Sequence, residues 1–186
     1  MGVKEFQIIV PWSVKKLEDG KYTDLGQAYN ASMEYVADWV CFLDHDVMHL
    51  NPAWYYMCLY AINKLGHKAG WITGVTNAIA CTSQHCPDAP ANNAGLDKHL
   101  IYAKERFQKF GNRIDRMDPK TMGLQFSGFM ILTHKKAWQD SGGFDSGFFG
   151  VDNYYFDKLT RSGYNHYVLP GMYLYHLYAL KKLWFS

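Results

Sequence analysis

Three aspartates and one histidine carry most of the chemistry this sequence can offer. Asp44, His45 and Asp46 directly follow the apolar run Trp39-Val40-Cys41-Phe42-Leu43. Side chains alternate along an extended chain, so Asp44 and Asp46 point one way and His45 the other. Two carboxylates held together repel each other unless a cation sits between them. A hard divalent ion with oxygen ligands meets that need and can in turn hold a diphosphate. The alternative is a pair of solvated loop aspartates, since an Asp-x-Asp triplet also arises by chance.

The third aspartate, Asp152, lies in Gly150-Val151-Asp152-Asn153, just after Ser141-Gly142-Gly143-Phe144-Asp145. Glycines there permit a tight turn and a backbone close to a ligand. A carboxylate where such a turn meets a helix can take a proton from an attacking hydroxyl. It can equally cap the helix. His176 sits in the apolar stretch Tyr173-Leu174-Tyr175-His176-Leu177-Tyr178. A lone histidine in such surroundings is more often a satisfied core residue than a ligand.

Strand-like and helix-like runs alternate along the chain, which predicts an α/β domain. A first strand is expected from about Glu5 to Val10, ended by Pro11-Trp12-Ser13. Asp24 is placed to cap a helix to about Ala37, with Leu25, Ala28, Tyr29, Met33 and Val36 on one face. The unbroken apolar run Trp39–Leu43 reads as a strand covered on both faces. Asn51-Pro52 signals a helix start, and that helix should stop at Gly66. Further strands are expected at Trp71–Val75, Leu124–Thr133 and Tyr167–Leu169, the last ending before Pro170. Gly128, inside the Leu124–Thr133 run, marks a close backbone approach. Helices are expected over Leu96–Phe110, around Trp138 and over Asp152–Arg161. The irregular stretch Asn77–Asn93 exceeds ordinary connection lengths, and such loops are usually functional or disordered.

With 186 residues the chain fits one domain. Its net charge of +2 does not demand a nucleic-acid partner. No apolar run approaches the roughly 20 residues that span a bilayer, and Phe6–Val10 lacks the cleavage site of a signal peptide. These features lead to the expectation of a soluble, cytoplasmic protein. Of the four cysteines, Cys41 and Cys58 read as small buried hydrophobes. Cys81 and Cys86 flank His85, but their spacing is poor for structural zinc. A Cys81–Cys86 disulfide would need an oxidising compartment.

The order of these features resembles a known family. The run Ala28-Tyr29-Asn30, then Trp39–Leu43, then Asp44-His45-Asp46-Val47 resembles the nucleotide-sugar half of family-2-type glycosyltransferases of the GT-A fold. There an asparagine on a helix precedes an apolar strand and the Asp-x-Asp motif. Phe126-Ser127-Gly128-Phe129, Trp138, Gly142-Gly143-Phe144-Asp145, Asp152 and Arg161-Ser162-Gly163-Tyr164 resemble that family's acceptor half, although the family often writes Glu-Asp where this chain has Val151-Asp152. A histidine after a late proline resembles its frequent last metal ligand.

The resemblance implies a single GT-A-like (Rossmann-like) α/β domain with a mixed central sheet flanked by helices. Residues 1–76 would form the donor and metal half, and residues 94–178 the acceptor and catalytic half. Its activity would be metal-dependent, inverting transfer of a sugar from a nucleoside-diphosphate sugar, a UDP-sugar first. Asp46 and His176 would bind the metal, and Asp44 the donor and also the metal. Asp152 would be the base, with Pro11, Trp12 and Asn30 on the donor side and Gly128, Gly150 and Asn153 on the acceptor side. Two carboxylates and an imidazole suit Mn²⁺ or Mg²⁺ better than zinc.

One departure concerns the front end. The family usually has a second strand ending in an aspartate that reads the nucleobase, and residues 11–23 leave no room for it. Trp12 could stack on the base instead. The expected acceptor is a saccharide or glycoconjugate. Hydroxymethylated DNA is the less favoured choice, prompted by Lys98, Lys104, Arg106, Lys109, Arg113, Arg116 and Lys120. Interspersed Asp97, Glu105, Asp115 and Asp118 favour a solvated helix over a DNA-binding face. Two rival activities are a nucleotidyltransferase, for which Lys15-Lys16 poorly replaces a Gly-rich loop, and a non-catalytic nucleotide- or carbohydrate-binding module.

Overall fold

The structure is a computed structural model that describes residues 2, 3, 5–11, 24–121 and 125–177. Its strands are β1 (Gln7–Ile9), β2 (Trp39–Leu43), β3 (Val47–His49), β4 (Ala69–Thr76), β5 (Asp115–Met117), β6 (Met130–His134) and β7 (Asn165–His176). Its helices are α1 (Leu25–Glu34), α2 (Trp54–Leu65), α3 (Leu96–Phe110), α4 (Lys135–Ser141) and α5 (Val151–Arg161), with a 3₁₀ turn at Gly66–Lys68. The strands form one open mixed sheet in the order β1-β2-β6-β4-β7-β3, and β5 pairs with the first part of β7.

Strand direction places the site. β1 runs parallel to β2, β4 runs parallel to β7, and β6 is antiparallel to both β2 and β4. Consequently β1, β2, β4 and β7 all end at the same edge of the sheet. In open α/β sheets that edge is where ligands collect.

Two apolar layers sandwich the sheet. On one face Val40, Phe42, Trp71, Ile131 and Tyr173 pack against Tyr29 and Met33 of α1, Ala103 of α3, and Tyr155 and Leu159 of α5. On the other, Trp39, Cys41, Ile72 and Leu132 pack against Met57, Cys58, Ala61 and Ile62 of α2. Burial on both faces explains why all five residues of β2 are apolar and buried.

Local signals set most boundaries. The Asp24 carboxylate accepts the Gln27 N–H at 2.8 Å, capping α1. Asn51 accepts the Ala53 N–H at 2.9 Å, and α2 begins at Trp54. Gly66 ends α2 with a φ of 59°. Three strand expectations need correction. The Leu124–Thr133 run becomes a strand only from Met130, because Ser127 and Gly128 bond to side chains and not to a ladder. The short β3 and β5 were not expected. The last strand does not stop at Pro170 but runs through it to His176. Pairing slips there: β4 advances from Thr73 to Val75 while β7 advances from Val168 to Tyr173. A proline without an N–H is tolerated inside such an irregularity, and its carbonyl accepts the Arg106 Nε–H at 3.0 Å.

No helix among the described residues is long and apolar enough to cross a membrane.

Candidate metal centre and active-site cleft

A cleft of about 500 Å³ opens where the four parallel strands end. Pro11 enters it after β1, Asp44 to Asp46 after β2, and Ala78 to Ala80 after β4; His176 enters at the end of β7. The opposite wall comes from Ser127-Gly128-Phe129 before β6 and from Phe148 to Asp152 leading into α5. No lysine or arginine lines the cleft among the described residues.

Asp44, Asp46 and His176 converge in it. One ligand atom from each lies within 4.8 Å of the others. The backbone fixes the two aspartates: Asp44 N–H donates to the Phe129 carbonyl at 3.1 Å, and the Asp46 carbonyl accepts Leu177 N–H at 2.9 Å. His176 Nδ1–H donates to the Ala78 carbonyl at 3.1 Å. With the ring proton on Nδ1, Nε2 presents a lone pair. It faces Asp46 Oδ1 at 3.4 Å, with His176 almost fully buried. Two acceptors at that distance need a shared cation, either a proton or a metal ion. Where that cation is a proton on Nε2, the hydrogen bond and charge of His176 hold the Asp46 carboxyl below the usual carboxylate range, against the opposing effect of burial. A backbone acceptor on the far ring nitrogen is the usual support of a metal-binding histidine. This donor set therefore fits a hard divalent ion.

Asp152 sits across the cleft. It is not the N-cap of α5, a position held by Gly150 at φ 72°. Its Oδ2 accepts the Gly128 N–H at 2.7 Å and its Oδ1 accepts the Asn153 N–H at 2.9 Å. Gly128 is needed for this approach, since a Cβ there would lie 3.0 Å from the Asp152 Cβ. The wall behind is held by Gln84, fully buried, which accepts Ser127 N–H at 2.8 Å and donates to the Ser127 carbonyl at 3.0 Å. Tyr29 of α1 closes the floor. Burial and the charges of Asp44 and Asp152 raise its hydroxyl pKa, keeping it protonated.

Of the candidate site residues named from the sequence, Pro11, Asp44, Asp46, Gly128, Gly150, Asp152 and His176 share one cleft. Asn30 and Asn153 are not among the lining residues. Asn30 instead clamps the glycine turn: its Oδ1 accepts Trp138 Nε1–H and Phe144 N–H, and its Nδ2 donates to the Phe144 carbonyl. Asn153 Nδ2 donates to the Phe126 carbonyl at 3.2 Å. Trp12 lies outside the described residues. Tyr29, Gln84, Asn77, Phe148 and Phe149 were missed as site residues. Tyr29 read as part of an apolar helix stripe. The length of the 77–93 loop was the only hint of Asn77 and Gln84.

Two other ligand-like groups fit an ion poorly. Cys81 and Cys86 are buried and form no disulfide with each other, and His85 joins no ligand group among the described residues. Asp38, His67 and His134 come together at the opposite end of β2. There His134 Nδ1 accepts the Ala137 N–H at 3.2 Å. The neutral ring then carries its proton on Nε2, which leaves no lone pair for a metal.

Comparison with known proteins finds no family model that matches the chain and no matching curated protein.

Proposed function

We propose that this protein is a metal-dependent glycosyltransferase with a GT-A-like arrangement of its sheet, moving a sugar from a nucleoside-diphosphate sugar to an acceptor hydroxyl. The observation that carries this reading is the pairing of two functions in one cleft. A two-carboxylate, one-imidazole ligand set stands at the carboxyl ends of the parallel strands, and Asp152 stands on the facing wall. A diphosphate entering a cleft whose described lining holds three aspartates and no lysine or arginine needs a cation as partner.

Asp44, Asp46 and His176 would hold Mn²⁺ or Mg²⁺, which when bound neutralises charge on a departing diphosphate. The Gly128 and Asn153 N–H groups orient the Asp152 carboxylate, so its remaining lone pairs can accept the acceptor's hydroxyl proton. The acceptor oxygen bonds to the anomeric carbon as the bond to the diphosphate oxygen breaks. Attack opposite the leaving group inverts the anomeric centre. Phe148 and Phe149 beside Asp152 offer apolar ring faces for a saccharide acceptor.

A DNA acceptor is less well supported. Arg106, Arg113 and Arg116 are engaged internally, with Pro170 and Tyr102, with Asp115, and with Asn165.

The test is product analysis with a panel of nucleoside-diphosphate sugars, with and without Mn²⁺. Metal-dependent release of nucleoside diphosphate, abolished by Asp46→Ala and by Asp152→Asn, supports the reading. Release of pyrophosphate would identify a nucleotidyltransferase instead. Full turnover by Asp152→Asn would remove the base assignment.

A further inference from the structure

We infer that Asn77 is the positioning residue of the metal centre, presenting His176 to the ion without touching it. The inference rests on the metal reading of Asp44, Asp46 and His176, but not on sugar transfer.

The backbone geometry creates the need. β3 and β7 are antiparallel, with Val47 opposite His176. The flanking bond in this pair runs from Leu177 N–H to the Asp46 carbonyl. Val47 and His176 are therefore a non-hydrogen-bonded pair, and the His176 N–H and C=O point away from β3. They point toward β4, whose ladder with β7 has already ended at Thr76 opposite Leu174. Two buried backbone groups would be left unpaired at the residue that must hold a metal.

The Asn77 side chain takes the place of the missing strand. Its Oδ1 accepts His176 N–H at 2.8 Å, and its Nδ2 donates to the His176 carbonyl at 3.2 Å. The carboxamide thus pairs with both groups as a peptide unit would. Its remaining capacity is also used: Oδ1 accepts the Thr76 hydroxyl at 3.1 Å, and Nδ2 donates to Asn92 Oδ1 at 2.6 Å. At 8% exposure every polar site of this amide is satisfied, so its orientation is unique. The same segment sets the ring. Ala78, the next residue, supplies the carbonyl that accepts His176 Nδ1–H. One dipeptide therefore fixes both the main chain and the tautomer of His176, leaving Nε2 aimed at Asp46.

The test uses Mn²⁺ alone as probe, titrated into the full chain and followed by electron paramagnetic resonance. Coordinated imidazole nitrogen is read from ¹⁴N echo modulation. Wild type should bind Mn²⁺ with a ¹⁴N coupling. Asn77→Ala should weaken binding about 10- to 100-fold, the usual effect of removing such outer support, and should lose the coupling. Asn92→Ala strips only the bond on the far side of the amide and should change affinity less than about threefold. If Asn77→Ala does not fold, Asn77→Ser, whose hydroxyl ends one bond short of the amide atoms that reach His176, should show the same losses. An Asn77 variant that folds and retains both the affinity and the coupling would overturn the positioning role while leaving the metal centre intact. Failure of wild type itself to bind Mn²⁺ would overturn the metal reading and this inference with it.

Discussion

Acidification should unfold this protein well before its carboxylates titrate, because its core holds histidines that cannot accept a proton. His134 and His166 are fully buried, and His49 is stacked on Trp54 at 3.9 Å. Both ring nitrogens of His49, Nε2 of His134 and Nδ1 of His166 have no hydrogen-bond partner among the described residues. Thr160 donates its hydroxyl proton to the Phe156 carbonyl, so it accepts from His166 Nε2–H and leaves Nδ1 as a lone pair in apolar surroundings. Protonating His134 would turn the Nδ1 that caps α4 into a donor facing another donor. Burial lowers the three from the ordinary 6.5 to about 3 for His49, about 4 for His134 and about 3 for His166. His67 adds to the shift of His134. His99 moves in the same direction, again through burial.

The sign follows from proton counts. Below pH 6.5 the unfolded chain binds protons that the folded chain refuses, so stability rises with pH and is complete above that value. It is lost as pH falls from 6.5 toward 3–4. pH 5 lies about 1.5 units below the ordinary value, so withholding a proton from each histidine there costs about 2 kcal/mol at about 1.4 kcal/mol per unit. Three together cost about 6 kcal/mol, comparable to the whole stability of a typical domain at about 5–15 kcal/mol. Urea unfolding followed by tryptophan fluorescence at pH 7, 6 and 5 should show the midpoint dropping steeply. His134→Asn, which keeps a capping side chain, should reduce the slope by close to one proton. A midpoint unchanged between pH 7 and 5, or a His134→Asn slope equal to wild type, would refute the reasoning.

Gln84→Leu should cost roughly 3 kcal/mol in chemical denaturation, because it leaves the Ser127 N–H and C=O without their buried partner and removes the bond to Thr73 Oγ1. Gly128→Ala should lower the proposed sugar transfer about tenfold or more while the fold persists, since the added Cβ pushes on Asp152, the proposed base, and misplacement of such a group is costly; steady-state rates beside a melting curve separate the two effects. Asp24→Ala should destabilise the protein by about 1 kcal/mol as a lost helix cap. Burial raises the Asp24 pKa, but bonds from Gly147, Ser146, Gln27 and Gly26 together hold it below the usual range. Its contribution is therefore full above about pH 4, so the stability difference between wild type and Asp24→Ala should be the same at pH 7 and pH 6.

The parts of the fold legible in the sequence were those set by local pattern. The apolar runs gave β2 and β4, Asp24 marked the start of α1, and α3 runs from Leu96 to Phe110 as expected. β3 and β5 are three-residue strands at the margin of the sheet, too short for any alternation to stand out. Pro170 read as a stop because a strand rarely accommodates it, and only the slipped pairing with β4 explains its place. Of the candidate site, the sequence marked Asp44, Asp46, Asp152 and His176 by type and spacing, and these line one cleft. The site was not legible for amides. Asn30 and Asn77 look alike in sequence, yet one holds a turn and the other holds His176. Asn77 meets its partner 99 positions away, and no local pattern records such a pairing.

Thermal unfolding of the wild type with each nucleoside diphosphate, with and without Mn²⁺, tests the proposed metal-dependent donor site most directly. Ligand at a hundredfold excess over its dissociation constant adds about 2.7 kcal/mol, or about 5–10 °C in Tm for a chain of this size. The account predicts that one base stabilises the protein by that amount only when Mn²⁺ is present, and that Asp46→Ala removes the effect. Equal melting temperatures for all diphosphates with and without Mn²⁺ would contradict it.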